Sequence, residues 1–135
     1  VKDVQSLTGD SVKKIAIGNP DSVPAGRYAK DSLNSVKLWE KLQPKYILAN
    51  SVRQALDYVS RGEVDAGFVY RTDALKAGDK VKIICNVEGH APVLYPIAVG
   101  NTGKNHADGK KFIDFVVSKE GQDILHKYGF SPVKK

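Results

Sequence analysis

The sequence is poor in cysteine, has no long apolar run and gathers no strong charge in one stretch, and each shortage excludes a class of protein. Its single cysteine, Cys85, cannot form an internal disulfide, and its place in the apolar run VKIICNV predicts a buried structural thiol. No apolar run approaches the roughly 18 residues that a membrane-spanning helix requires. The first ten residues, VKDVQSLTGD, lack the apolar centre and the cleavage site of a signal peptide. The protein is therefore cytoplasmic, or its export signal lies outside this sequence.

The positive charge is spread along the chain. The net charge of +6 comes from 21 lysines and arginines against 15 aspartates and glutamates. Proteins that bind nucleic acids usually show a basic stripe with interleaved aromatic residues, and none is visible here. We therefore expect no nucleic-acid partner, while the excess of positive charge favours anions as ligands.

Signatures of enzymes are also missing. No glycine-containing turn ends in the Gly-Lys-Ser/Thr of a phosphate-binding P-loop, and GNTGKN at residues 100–105 has the wrong spacing. Cys85 and His90 are too few ligands for zinc, so no metal site is expected. Asp65 and Asp73 flank the end of an apolar run, where we expect them to organise turns. Because no catalytic constellation is present, we predict that the chain is not an enzyme.

What the sequence does contain is a regular alternation of strand and helix patterns. Short apolar runs bounded by turn residues predict strands, and segments with apolar residues at i, i+3, i+4 and i+7 predict helices with one buried face. The first three strands are predicted at Lys13–Asn19, Lys45–Asn50 and Glu63–Tyr70, with helices that begin near Pro24, Ser51 and Thr72. Two more strands are predicted at 80–87 and 93–100, and two helices between 106 and 130. This alternation predicts an α/β fold with a mainly parallel sheet flanked by helices.

One turn between a strand and a helix has an unusual composition. In parallel sheets, ligands gather at the edge where strands end and helices begin, and the turn DSVPAG falls on this edge. Pro24 fixes φ near its helical value, while Ala25 and Gly26 let an anion approach the N–H groups at the positive end of the helix dipole. A helix that binds nothing can begin with the same residues, so this alternative stays open for the turn by itself.

Two other features fall on the same edge of the predicted sheet. Ser51 is a good N-cap for the helix that begins at Val52, and Tyr70 ends an apolar strand where its hydroxyl can donate a hydrogen bond. Two helix starts and one phenol that converge predict a pocket of uncharged donors for a small divalent oxyanion, which no single feature predicts.

Three long stretches of the sequence resemble a known family. IAIGNPDSVPAGRYAKDSL, SVRQALDYVSRGEVDAGFVYRTDA and the pair YPIAV and FIDFVVSKEGQDILHKYGF resemble, in this order, the periplasmic molybdate-binding proteins of ABC transporters. The likeness runs over essentially the whole chain, and VPAGRYAK and RGEVDAGFVY are among its most specific blocks. It implies a lobe of a two-lobed α/β clamshell of the periplasmic-binding-protein type II class. Such proteins hold molybdate, and usually tungstate, between their lobes without a countercharged side chain.

The resemblance also implies which residues bind the ligand. The family's contacts fall on the backbone N–H of Ala25, the backbone N–H of Val52 and the hydroxyl of Tyr70. Supporting contacts are expected from four neighbouring residues, Ser22, Pro24, Gly26 and Ser51. No catalytic residue, cofactor or resident metal is implied, because molybdate or tungstate is the cargo.

The family's first lobe, whose loops supply the other ligand contacts, is not in this sequence. We therefore expect the chain to be a piece of a longer protein. Residues 1–100 are predicted as the ligand-binding α/β domain of the second lobe with its crossover strands, and residues 101–135 as a helical segment that packs on the first lobe. Without that lobe, we expect the exposed C-terminal helices to associate with a second copy of the chain.

The resemblance predicts the extracytoplasmic solute-binding component of an ABC transporter, with molybdate or tungstate as ligand and a membrane permease as partner. The expected location is the periplasm or another extracytoplasmic space, with a membrane anchor in a segment outside this sequence. An alternative is an anion-sensing regulatory domain of the same fold, which a fused DNA-binding segment would favour. A third is an enzyme that acts on a phosphorylated or sulfated substrate through Asp65 or Asp73.

Overall fold

The computed structural model describes residues 1–132, and all of the strands among them lie in the first 91 residues. Residues up to Ala91 form one unit, and those from Pro92 onward form another. The strands are β1 (Ile15–Gly18), β2 (Tyr46–Ala49) and β3 (Ala66–Gly67). The helices of the first unit are α1 (Pro24–Ser35), α2 (Trp39–Leu42), α3 (Val52–Ser60) and α4 (Arg71–Ala77). Short 3₁₀ turns occur at Gln5–Thr8, Gln43–Lys45 and Gly78–Lys80.

The sheet is parallel and has β1 in its centre. Its order is β2-β1-β3, with Ile15 of β1 opposite Tyr46 of β2 and Ala66 of β3. All four residues of β1 are buried, as a strand covered on both faces of a parallel sheet requires. This confirms the predicted α/β fold with a parallel sheet flanked by helices.

Each face of the sheet has its own apolar cluster, because successive residues of β1 point to opposite faces. Ile15 packs in a cluster that α1 and α2 help to form, together with Leu7, Val12, Leu33, Leu38 and Leu42. Ala16 packs in the other, to which α3 contributes, together with Ala49, Ala55 and Val64. The helices therefore cover both faces of the central strand, and the loops that leave the strands gather at the carboxyl edge of the sheet.

Two predicted strands are wrong. Residues 80–87 and 93–100 contain no strand, and many of their apolar side chains are exposed, among them Ile84 at 40% and Leu94 at 80%. A strand needs a neighbour to satisfy its N–H and C=O groups, and no segment within residues 1–132 pairs with either run. The predicted burial of the Cys85 thiol is also wrong, since Cys85 is exposed.

The third strand is shorter than the predicted Glu63–Tyr70. Only Ala66 and Gly67 pair with β1, opposite Ile15 and Ala16. The residues after them leave the ladder, and Phe68 makes one further bond from its N–H to the carbonyl oxygen of Ala16 at 3.0 Å.

The second unit contains the two helices predicted there, α5 (His106–Val117) and α6 (Lys119–Lys127). Ser118 joins them: its Oγ accepts from the N–H of Gly121 at 3.2 Å and donates to the carbonyl oxygen of Phe115 at 2.6 Å. No residue of α5 is buried in the described part of the chain. The predicted division into a second-lobe domain at residues 1–100 and a helical segment at residues 101–135 stays a prediction. Residues 133–135 lie outside the described part of the chain.

No helix within residues 1–132 combines the length and the apolar character that a membrane span requires.

Candidate functional site

The three residues expected to bind an oxyanion follow the three strands of the sheet. Ala25 lies in the first turn of α1 after β1, Val52 begins α3 after β2, and Tyr70 comes three residues after β3 ends. Parallel strands end at one edge, so the structure brings these residues to the carboxyl edge of the sheet, with the Ala25 turn in the middle. The N–H of Asn19 donates to the carbonyl oxygen of Ala49 at 2.8 Å, which ties the first two loops together.

The first turn of α1 leaves the N–H group of Ala25 without an acceptor among the described residues. The carbonyl oxygen of Asn19 accepts from the N–H of Val23 at 2.8 Å, and the carbonyl oxygen of Val23 accepts from Gly26 and Arg27 at 3.0 and 3.2 Å. Pro24 has no N–H, and no atom of residues 1–132 accepts from the N–H of Ala25. Ala25 is only 7% exposed, and an unpaired N–H in so enclosed a residue is costly unless a ligand or water accepts from it.

The start of α3 follows the prediction from the sequence. Ser51 is the N-cap, in an extended conformation, and its Oγ accepts from the N–H of Gln54 at 3.1 Å. The side-chain oxygen of Gln54 accepts in return from the N–H of Asn50 at 2.7 Å, much as in a capping box. This leaves the N–H groups of Val52 and Arg53 without an acceptor among the described residues. Both N–H groups belong to the first turn of α3, and the macrodipole favours negative charge at this end of the helix.

The residues expected to support the ligand contacts differ in their exposure. Ser22 and Pro24 are exposed beside the α1 start. Gly26 is buried, and a Cβ at this position would overlap the carbonyl oxygen of Gly18 at the end of β1. Its small size therefore has a packing cause: α1 approaches the central strand too closely for any side chain there.

Tyr70 is the N-cap residue of α4 and is half-buried, with extended backbone angles. Its carbonyl oxygen accepts from the N–H groups of Asp73 and Ala74, both at 3.1 Å. The first turn of α4 thus fixes the backbone from which the phenol extends.

Two arginines beside these residues were not singled out by the sequence pattern. Arg53 Nη2 lies 3.8 Å from Asp73 Oδ1, which joins the first turns of α3 and α4. Arg71 Nη1 donates to Asn86 Oδ1 at 3.4 Å. Each arginine directly follows an expected ligand residue. This spacing is visible in the sequence, but the contacts with Asp73 and Asn86 are not.

Asp65 lies at the opposite, amino edge of the sheet. Its Oδ2 accepts from the N–H groups of Lys13 and Lys14 at 2.8 and 2.9 Å, just before β1 begins. The bonds from Lys14 and Lys13 lower the pKa of Asp65. The carboxylate therefore stabilises the fold at neutral pH, and this contribution is lost as the pH falls below about 4 and through the lowered pKa. Its position separates Asp65 from Asp73 and from the expected ligand residues.

The residues weighed as metal ligands do not gather. Within residues 1–132, no group of three or more histidine, cysteine or acidic side chains is arranged to hold a metal ion. The two ring nitrogens of His90 face backbone carbonyl oxygens, of Ala91 at 2.7 Å and of Val87 at 3.2 Å.

Comparison with known sequences places the chain among binding proteins. It matches the model of the bacterial extracellular solute-binding protein family over residues 1–131. It is 42% identical over 121 residues to YvgL of Bacillus subtilis (strain 168), which is assigned as an ABC transporter substrate-binding lipoprotein. It is 39% identical over 120 residues to the molybdate-binding protein ModA of Escherichia coli (strain K12). These alignments cover 88% and 87% of this chain but 46% of each relative, so the chain spans about half the length of the curated relatives it matches.

Solved structures agree with this comparison. A substrate-binding domain from Clostridium difficile, assigned to a molybdenum ABC transporter, superposes with a TM-score of 0.89 at 39% identity and covers 99% of this chain and 59% of that one. The periplasmic molybdate-binding protein of Azotobacter vinelandii superposes with a TM-score of 0.68, covering 98% and 61%, and at 24% identity this likeness shows the fold alone. Because the family model spans nearly the whole of it, the chain belongs to the bacterial extracellular solute-binding proteins, a family of binding proteins and not of enzymes.

Proposed function

We propose that the chain is the ligand-binding second lobe of a solute-binding component that supplies molybdate to an ABC transporter, with tungstate as an alternative ligand. One observation carries this proposal: Ala25, Val52 and Tyr70 follow three neighbouring parallel strands at the carboxyl edge of the sheet. The 39% identity to a molybdate-binding protein supports the choice of oxyanion.

The proposed ligand would exchange its hydration shell for uncharged donors. A hydrogen bond to a charged group contributes about 1.5–3 kcal/mol, so several bonds together can hold a dianion without a countercharged side chain. The N–H groups of Ala25 and Val52 are fixed by the starts of α1 and α3, and a fixed array of donors favours an ion whose oxygens reach all of them. The longer metal–oxygen bonds of molybdate and tungstate would then be preferred over the shorter bonds of sulfate and phosphate.

A titration of the ¹⁵N-labelled 135-residue chain with sodium molybdate, followed by NMR, tests the proposal. We expect the largest chemical-shift changes at the amides of Ala25, Val52 and Arg53, with weak overall affinity because the remaining donors are expected from the other lobe. The amides of Lys13 and Lys14, at the amino edge, serve as internal controls. Sodium sulfate at the same ionic strength should give clearly smaller shifts. Equal responses to the two ions, or shifts centred away from the carboxyl edge, would contradict the proposal.

The whole protein is proposed to work outside the cytoplasmic membrane, to pass its ligand to a membrane permease, and to be anchored through a segment outside this sequence. The extracellular assignment of the family and the assignment of YvgL as a lipoprotein support this location and anchor. The same comparisons favour transport over the alternative of a regulatory sensor domain.

The 135-residue chain is further proposed to self-associate through α5 and α6. Phe112, Phe115 and Val117 are 60%, 43% and 48% exposed, and exposed apolar patches of this kind mark interaction surfaces. Sedimentation velocity should show a dimer that grows with concentration and weakens in Phe112→Ser. Leu75→Ser, which changes an exposed leucine of α4, should leave the dimer unchanged. A monomer at every concentration would contradict self-association.

A further inference from the structure

The residue that follows Val52 in the chain carries a positive charge, which forms an ion pair with a carboxylate. Arg53 directly follows Val52, and its guanidinium reaches across to Asp73 in the first turn of α4, with 3.8 Å between Nη2 and Oδ1. A guanidinium in the first turn of a helix is not favoured by the helix dipole, which repels cations at this end. The ion pair with Asp73 therefore has to account for the position of the Arg53 guanidinium.

Asp73 is well placed to hold this guanidinium. Its N–H donates to the carbonyl oxygen of Tyr70 at 3.1 Å, so its backbone is fixed by the residue that carries the proposed phenol donor. Its side chain is 24% exposed, against 60% for Arg53. The more enclosed carboxylate thus attracts the more exposed arginine side chain from α3 towards α4.

We propose that Asp73 keeps the Arg53 guanidinium off the bound oxyanion and so preserves selection by size, an inference that rests on the proposed function. Fixed, uncharged N–H groups hold best the ion that reaches all of them. A mobile guanidinium adapts to ions of either size, and its attraction acts on every dianion. The ion that fits the fixed donors poorly would gain most from it, so a free Arg53 would favour sulfate more than molybdate.

Two other arginines lie near this edge and do not change the comparison. Arg71 donates to Asn86 Oδ1 at 3.4 Å, and Arg27 is exposed in the first turn of α1. Both are present in the wild-type chain and in any variant of Asp73, so their influence on an anion cancels between the two proteins.

Asp73→Asn tests the inference, since it keeps the shape of the side chain and removes its charge. In NMR titrations of the 135-residue chain, we expect sulfate to bind about two- to fivefold more tightly to Asp73→Asn than to the wild type, the range that an exposed ion pair spans. Molybdate binding should tighten less, and both affinities should become more sensitive to ionic strength. The double variant Arg53→Gln/Asp73→Asn should return to the wild-type affinities, because the freed guanidinium is absent.

A matched control lies at the other end of the same helix. Arg61 Nη1 is 3.8 Å from Glu63 Oε1, so Glu63→Gln breaks an ion pair of the same length and removes the same charge. It should leave both affinities unchanged.

Weaker binding of both ions in Asp73→Asn and in Arg53→Gln would instead show that the pair only positions α3 and α4, and would overturn the inference. If the wild-type chain binds molybdate and Asp73→Asn binds both ions with wild-type affinity, this inference alone is overturned. No molybdate binding by the wild type would overturn the proposed function and the inference with it.

Discussion

Replacing Gly26 with alanine is expected to destabilise the first unit by about 3 kcal/mol or more and to lower its midpoint of thermal unfolding by about 10 °C or more. The added Cβ would overlap the carbonyl oxygen of Gly18 and lie 3.1 Å from the carbonyl carbon of Asn19. These are backbone atoms at the end of β1, so no side chain can rotate aside to make room. The start of α1 would have to move away from the central strand.

Gly9→Ala provides the matched control for this substitution. A Cβ at Gly9 would have its nearest neighbour at 3.4 Å, an ordinary contact, and its φ of −68° suits any residue. Its stability should stay within about 0.5 kcal/mol of the wild type, as for most surface changes. Thermal and urea unfolding followed by circular dichroism measure both variants. If Gly26→Ala unfolds like Gly9→Ala, α1 does not depend on its close approach to β1.

The parts of the fold that the sequence predicts well are those that depend on near neighbours in the chain. The helix start at Ser51 is an example, because its cap is completed by Gln54, three residues away. The strands β1 and β2 are similar, since each follows a local pattern, a short apolar run bounded by turn residues. The carboxyl edge that holds the proposed site followed from this alternation alone.

The parts that could not be predicted depend on residues far apart in the sequence. Residues 80–87 and 93–100 have the apolar pattern of strands, but a pattern does not show whether another segment will pair with them. The ion pair between Arg53 and Asp73 joins positions whose closeness follows only from the order of the strands.

The small size of Gly26 has a second cause that the sequence does not reveal. The sequence suggests a small residue that lets an anion approach, while the structure shows that the helix start packs on Gly18. The close packing holds the Ala25 N–H at the carboxyl edge, so the packing and the proposed binding depend on the same residue.

Val52→Pro is expected to weaken molybdate binding by about 10- to 150-fold at nearly wild-type stability. It removes one backbone N–H, and a hydrogen bond to a charged group contributes about 1.5–3 kcal/mol. Proline is well tolerated here because Val52 is the first residue of α3, where its N–H has no partner within the helix. Ser51 already has the extended angles, φ −156° and ψ 160°, that the residue before a proline adopts. The backbone can therefore stay where it is while a single donor disappears.

Val52→Ala separates the lost N–H from the lost side chain. It shortens the half-buried valine but keeps the amide, so the proposal requires it to bind molybdate nearly as well as the wild type does. NMR titrations at one ionic strength compare the three proteins, and thermal unfolding confirms that each is folded. Equal binding by Val52→Pro and Val52→Ala at the wild-type level would show that this amide does not hold the ion. An equal loss in both would assign the effect to side-chain packing, and only a loss confined to Val52→Pro supports an uncharged N–H as a ligand for the dianion.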